Sequence, residues 1–439
     1  MIFQTVIYIH PKHNDLTYTN TLLSRRLLAT ALVLVCTLLK AQSSLAQDFR
    51  DFHQFFNDST LRLDYVFAGD CNRQHIFVDA MTVTPRWYGR KMRLDSLPLR
   101  GNGRIVMTDD ASGKVIYQHS FSTLFQEWIA TDEARVTPKS FENVFLVPYP
   151  RQDARITVSL YDYHDRITAT ITHRVSPQDI LIRRPQCRPA YTIVHEPQDT
   201  NRCIRIAFVA EGYRQQEMPL FRQHVEEAVQ SLFRHEPFRS MENRFQIVAV
   251  ESPSQDSGTS IPHDGLWIET ALGSHFDTFY SDRYLTTLHL KRLHDLLLGV
   301  PYEHIIVLAN TNEYGGGGIY NSYTLTYTRG KHFRPVVVHE FGHSFGGLGD
   351  EYEYTNTDPM YFSDVEPWEP NLTTKHDFSG KWGNLIREGK ASLIEGGGYQ
   401  KEGVFRGCPD CRMRTNEHPE FCPVCQQALR RLIDFYTEP

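Results

Sequence analysis

The sequence has no apolar run long enough to cross a bilayer as a helix. Its longest such stretch, Leu27–Leu39 (LLATALVLVCTLL), has 13 residues, against the roughly 20 that a spanning helix needs. Mean hydropathy is -0.42, so a polytopic membrane protein is excluded. Neither charge dominates: 46 Lys and Arg stand against 52 Asp and Glu, for a net charge of -6. Nothing in that balance points to a nucleic-acid partner. Gly (27) and Pro (23) are too sparse for a collagen-like or low-complexity chain. The one glycine run, Gly315–Gly318, lacks the GxxxxGK[ST] pattern that cradles phosphates. What is present is 439 residues, 41% hydrophobic and 12% aromatic. That is material for large cores, and length alone suggests two or three domains.

The apolar stretch reads as a targeting signal. Arg25 and Arg26 precede it, and Ser44 and Ala46 supply small residues ahead of a cut before Gln47. Cleaved export, to a secreted, periplasmic or cell-surface location, is the expectation; an uncleaved anchor is the alternative. Cys36 follows Val35 inside the run, which argues against a lipoprotein. Residues 1–46 are assigned to the signal, and seven of the eight cysteines stay in the mature chain. The odd count leaves at least one thiol outside any intrachain disulfide.

Two textures follow. Residues 47–190 carry short alternating runs such as GRIVMTDDASGKVIYQHSF and RITVSLYDYHDRITATITHRV, with turns at Asp109–Gly113 and Asp162–Arg166. They predict an antiparallel β-sandwich domain. His53, His75, His119, His164 and His173 are scattered there and form no constellation. The proline-bearing stretch after Leu181 reads as a connector. Residues 191–439 alternate between strand and helix. Buried-strand patterns at Cys203–Ala210, Phe245–Val250 and His304–Ala309 flank helical patterns after Pro219 and over Tyr284–Leu298. An α/β layer with a largely parallel sheet is expected, and the whole chain is α+β. Ile319–Tyr327 (IYNSYTLTY) reads as an edge strand that could accept an extended peptide by strand addition, with Gly315–Gly318 allowing close approach.

The chemistry concentrates at residues 335–351, PVVVHEFGHSFGGLGDE. Four residues apart on a helix, His339 and His343 share one face and can bind one zinc ion. Glu340 stands beside the first ligand as general base for an activated water. The spacing His-x-x-x-His-x-x-Gly is metzincin-like, but that register puts Gly349, which has no side chain, at the third ligand position. Asp350 is the favoured replacement, because the glycine-rich turn absorbs one residue of offset. Glu351 and a more distant residue are the alternatives, and His332 would have to fold back past Pro335.

HEFGHSFGGLGDEY, together with FENVFLVPYP, GNGRIVMTDDASGK, SFSTLFQEW and CRMRTNEHPEFCPVC, resembles the bacterial IgA-peptidase family of secreted metallopeptidases. The resemblance runs from about Leu61 to the C-terminus. It implies an N-terminal β-domain followed by a metzincin-like α/β peptidase domain with one zinc, and it gives Met413 the role of the methionine beneath that zinc. It does not make immunoglobulin A the substrate.

Cys408, Cys411, Cys422 and Cys425 form two C-P-x-C pairs. In an exported chain disulfides are the first expectation, with a second, structural zinc as the alternative. Tyr399 is a candidate for stabilising an oxyanion, and His418 reads as a surface residue. The functional expectation is an exported zinc-dependent endopeptidase acting on protein or peptide substrates, with no nucleic-acid partner and no membrane span once the signal is removed. Its alternatives are a cell-surface binding protein with an inactive zinc site and a zinc amidase acting on cell-wall peptides.

Overall fold

The computed structural model describes residues 52–354 and 359–438. The expected signal, Cys36 and the cut before Gln47 lie outside these residues. Phe52–Glu438 belong to one compact unit. Among the described residues no helix is long and apolar enough to cross a membrane.

The N-terminal alternating runs form two antiparallel sheets. β1 (Phe56–Gly69) lies between β2 (Gln74–Pro85) and β5 (Lys139–Pro150). The second sheet has the order β4 (Val115–Phe121), β3 (Gly103–Asp109), β6 (Ala154–Tyr161), β7 (Ile167–Val175). Both turns expected from the sequence are present, with Gly113 and Asp165 in the left-handed region. β3 turns alternate residues inward, with Ile105 and Met107 fully buried, whereas β1 and β5 carry runs of consecutive buried residues. Aromatic rings join the two sheets: Phe121 and Phe145 have centroids 4.3 Å apart and Phe67 packs against both. Each such buried ring contributes about 1.5–3 kcal/mol. A short helix, α1 (Leu124–Trp128), follows β4 and is capped by Thr123, whose hydroxyl accepts the Gln126 N–H.

The second half is built on a six-stranded mixed sheet. Its strands are β8 (Thr192–His195), β9 (Ile204–Glu211), β10 (Phe245–Val250), β11 (His304–Ala309), β12 (Gly316–Ile319) and β13 (Tyr323–Tyr327), in the order β12-β13-β11-β9-β10-β8. The four central strands are parallel and the two outer ones antiparallel. Side chains of β9 alternate between two cores. Ala207 and Val209 join the N-terminal sheets, while Ile206 and Phe208 meet the helices α2 (Met218–Leu232), α4 (Phe333–Ser344) and α6 (Pro423–Thr437). Cover on both faces explains why β9–β11 read as continuous apolar runs. The helices α3 (Leu290–Leu296) and α5 (Gly383–Arg387) are short. A third sheet, β14 (Leu372–Thr373), β16 (Gln400–Arg406) and β15 (Ile394–Gly397), completes the fold.

Three local expectations change. The helix expected over Tyr284–Leu298 begins only at Leu290, because Thr286 exchanges both backbone hydrogen bonds with His275. Ile319–Tyr327 is not one edge strand. It turns at Tyr320–Ser322, with Asn321 left-handed, so Tyr323–Tyr327 sits inside the sheet and the glycine run itself forms the edge. At Gly316 that edge is already used: its N–H donates to the Arg283 carbonyl and its C=O accepts from Leu285. The connector contributes β8, which pairs with the outer side of β10.

Candidate metal centre

α4 carries the motif. Val337, Val338 and Phe341 are buried in the helix-side core, which turns His339, Glu340 and His343 to the opposite, partly exposed face. Gly342, between the two histidines, is needed for packing: a Cβ there would stand 2.7 Å from the sulfur of Met413. Met413 is fully buried under the helix. Gly347, left-handed at φ 58°, stops the helix and returns its N–H to the His343 carbonyl, while the Leu348 N–H returns to Gly342.

The turn that follows aims the donor atoms. Nδ1 of His343 lies 2.6 Å from the Leu348 carbonyl, and Nδ1 of His339 lies 2.9 Å from the Arg412 carbonyl. A carbonyl only accepts, so each Nδ1 carries the hydrogen and each Nε2 presents a lone pair. The two Nε2 atoms are 3.1 Å apart, and Oδ1 of Asp350 lies 3.1 and 3.3 Å from them. Oδ1 is buried and has no hydrogen-bond donor. Ligands held at about 2.0–2.1 Å in a tetrahedron are spaced about 3.3 Å apart. The three atoms therefore match one face of a tetrahedral zinc site, and a buried carboxylate oxygen without a donor suits a cation ligand. Without a cation, burial disfavours charged His343, yet Asp350 and Glu340 raise its pKa to about 9. Burial likewise opposes ionisation of Asp350, but the two histidines hold its carboxyl far below the usual range.

Asp350 is held from two sides. Gly349 exchanges hydrogen bonds with the side chain of buried Asn371, Oδ1 accepting at 2.8 Å and Nδ2 donating at 2.8 Å. The sequence EGGGYQ then explains itself: Gly396, Gly397, Gly398 and Tyr399 have consecutive positive φ values. This turn carries the Gly398 N–H to the Asp350 carbonyl and the Tyr399 hydroxyl to Asp350 Oδ2. A left-handed tyrosine costs on the order of 1–3 kcal/mol, and here it is spent on orienting that carboxylate. The hydroxyl considered for an oxyanion role is engaged by Asp350.

Glu340 lies against β12. A Cβ on Gly316 would stand 2.9 Å from Oε1 of Glu340, and one on Gly318 would stand 2.2 Å from its backbone oxygen. Burial raises the Glu340 carboxyl above its usual pKa, the histidines pull it down and Asp350 adds to the rise. A second carboxyl, Glu127 of α1, receives the Tyr284 hydroxyl and is pushed up by burial to about 7. It is close enough for His343, Glu340 and Asp350 to bear on its protonation. Glu127 sits in the SFSTLFQEW stretch and carries no motif of its own; neither does Asn371. Nothing in the sequence reading singled out either one.

Other candidates lie elsewhere. Glu351 turns away from the histidines and joins Cys411, Cys422 and Cys425. His332 precedes α4, and His418 hydrogen-bonds to the Glu420 carbonyl. The disulfide expectation is not realised: all seven described cysteines are free, and Sγ of Cys411 and Cys425 are 3.7 Å apart.

Two families match the sequence. One described as IgA Peptidase M64 covers residues 193–394, and one described as Peptidase M64 N-terminus covers residues 51–172. The first match includes His339, Glu340, His343 and Asp350 and ends before Tyr399, Met413 and the C-terminal cysteines. No curated protein matches the chain. The chain is a peptidase belonging to the IgA peptidase M64 family.

Proposed function

We propose that this peptidase is an exported, zinc-dependent endopeptidase of metzincin-like build, with His339, His343 and Asp350 as the metal ligands. The observation that carries the reading is the convergence of two Nε2 lone pairs and one donorless Asp350 oxygen within 3.3 Å. An arrangement of two imidazoles and one carboxylate with a fourth position open is the donor set of a catalytic zinc site. Zinc bound there supplies Lewis acidity toward water and toward the carbonyl of the scissile peptide.

The protein's own groups do the rest. Glu340, beside the ligands and partly shielded from water, takes the proton of the attacking water on its carboxylate and returns it to the leaving amine. Burial raises its carboxyl, which brings its proton affinity closer to neutral pH, where such a shuttle works best. Tyr399 and Asn371 hold Asp350 in place. Met413 supports α4 from beneath, as the methionine of a metzincin-like turn does. Residues 47–190 form the β-sandwich domain and 191–439 the peptidase domain, with residues 1–46 as the signal that directs secretion or display at the cell surface. The substrate is a protein or peptide.

The test is incubation of the mature protein with a diverse peptide library, read by mass spectrometry. Cleavage of internal bonds should appear, vanish with a zinc chelator and return with added zinc. Cleavage that survives full removal of metal would overturn the reading.

A further inference from the structure

Glu351 and the C-terminal cysteines are not used by the chemistry above, yet they form the most buried group of metal-type side chains in the described residues. Glu351, Cys411 and Cys425 are fully buried and Cys422 is 2% exposed. Their four donor atoms lie within 4.8 Å of one another. We propose that Cys411, Cys422, Cys425 and Glu351 hold a second zinc ion with a structural role, one residue along the chain from the catalytic ligand Asp350.

The spacings favour a metal over a disulfide. A disulfide needs about 2.05 Å between sulfurs, whereas Sγ of Cys411 and Cys425 are 3.7 Å apart. Two thiolates on one tetrahedral zinc, each at about 2.3 Å, are spaced about 3.8 Å apart. Oε1 of Glu351 lies 3.1 Å from Cys425 Sγ and 4.0 Å from Cys422 Sγ, bracketing the roughly 3.5 Å expected between oxygen and sulfur ligands. Oε2 of Glu351 is buried with no partner, so this carboxylate is only half satisfied by Asn371, which donates to Oε1 at 2.9 Å. A buried, under-satisfied carboxylate among thiols is costly unless a cation joins it.

The local backbone suits thiolates. The Cys422 N–H donates to Cys411 Sγ at 3.2 Å. Cys422 is the N-cap of α6 and Cys425 lies in that helix's first turn, where the helix dipole favours negative sulfur. On binding, the thiols release their protons to solvent, and the soft thiolate set selects zinc over magnesium or calcium. Cys408, the other member of the CPDC pair, stands beside the Cys422 thiol and contacts the Lys390 carbonyl at 3.9 Å, but Glu351 takes its place in the set whose donor atoms all lie within 4.8 Å of one another.

The site would also brace the catalytic centre. The Glu351 N–H donates to the Met413 carbonyl at 2.9 Å, so fixing Glu351 and Cys411 steadies the backbone that follows Asp350 and the backbone that precedes Met413.

Zinc content of the mature protein, measured by elemental mass spectrometry after dialysis, tests the proposal. Wild type should hold two zinc ions per chain. His339→Ala and Cys425→Ser should each hold one, losing different ions, and Glu351→Gln should lose or weaken the second while Cys408→Ser keeps it. Because a cysteine variant can fail to fold, cobalt substitution of the wild type is the second measurement: intense thiolate-to-cobalt charge-transfer bands are expected. One zinc per chain with Cys411, Cys422 and Cys425 in disulfides, or no thiolate bands, overturns the proposal. So does loss of the second zinc in Cys408→Ser with full retention in Glu351→Gln. Failure of the catalytic reading looks different: wild type would then hold one ion, kept in His339→Ala and lost in Cys425→Ser.

Discussion

One methyl group at Gly316 probes the proposed base without touching it. The added Cβ of Gly316→Ala would stand 2.9 Å from Oε1 and 3.0 Å from Cγ of Glu340, where relaxed contacts between carbon atoms are about 3.5–4.0 Å. Gly316 is not among the positive-φ glycines, so alanine fits its backbone. The obstructed atoms are the end of a flexible side chain, and the carboxylate must retreat by roughly half an ångström. Misplacing a reacting group by about 1 Å can cost 10²-fold; about tenfold in kcat/KM, or ~1.4 kcal/mol, is expected here. Zinc content and Tm should stay near wild type. Gly318→Ala is the contrast: its Cβ meets the Glu340 backbone oxygen at 2.2 Å and the His343 Cβ at 2.9 Å. Neither can swing away, so α4 itself must move, at a cost of about 1–3 kcal/mol in stability and with weakened metal binding. Steady-state kinetics on a cleaved peptide, with zinc content and thermal melts on the same samples, decides the matter. Full activity in Gly316→Ala refutes the placement of the proton shuttle at Glu340, and loss of zinc in that variant refutes the claim that the base alone was displaced.

Glu340→Gln should keep its zinc and its fold while hydrolysis falls by at least about 10²–10⁴-fold; turnover near wild type would exclude Glu340 as the base. Tyr399→Phe removes the hydroxyl from Asp350 Oδ2 and should weaken zinc binding by about 10–100-fold, measured by competition with a chromogenic chelator; an unchanged affinity removes the positioning role. Burial lowers the pKa of His304 to about 3, so below pH 6.5 the unfolded chain binds a proton that the native one refuses. Wild type therefore loses about 1.4 kcal/mol per pH unit through this group as pH falls, and His304→Phe does not. Urea titrations should show the stability of His304→Phe gaining about 2 kcal/mol relative to wild type between pH 7 and pH 5; a gap independent of pH would refute the buried neutral imidazole.

The parts of the centre that could be read from the sequence are those set by local geometry. His339 and His343 share a face because a helix repeats every 3.6 residues, and Val337, Val338 and Phe341 mark the side that packs inward. The alternating runs and turn residues likewise marked the N-terminal half as antiparallel sheet, because side chains alternate along a strand. What escaped was long-range. Asn371 and Glu127 reach the centre from separate segments that no spacing relates to α4, and Tyr399, named as an oxyanion candidate, instead donates to Asp350. The edge strand was misjudged because four glycines look like a loop until Gly316 and Gly318 are seen to face Glu340, and Gly315 and Gly317 to face Arg283, Phe276 and Tyr284, with no room for a larger residue. Glu351 differed from Asp350 by one position, and only the turn at Gly349 decides which carboxylate faces the histidines.

The hydrogen bonds beneath the histidines set an order of assembly during synthesis. His339 depends on the Arg412 carbonyl, and Asp350 depends on the Tyr399 hydroxyl, so the HEFGH segment leaves the ribosome some 50–70 residues before its supports. A nascent or truncated chain ending before Arg412 holds the two histidines but lacks the groups that aim them. Such a shortened chain is expected to bind zinc more weakly than one that includes Tyr399 and Arg412, and to cleave peptides poorly, because its ligands are present but not oriented.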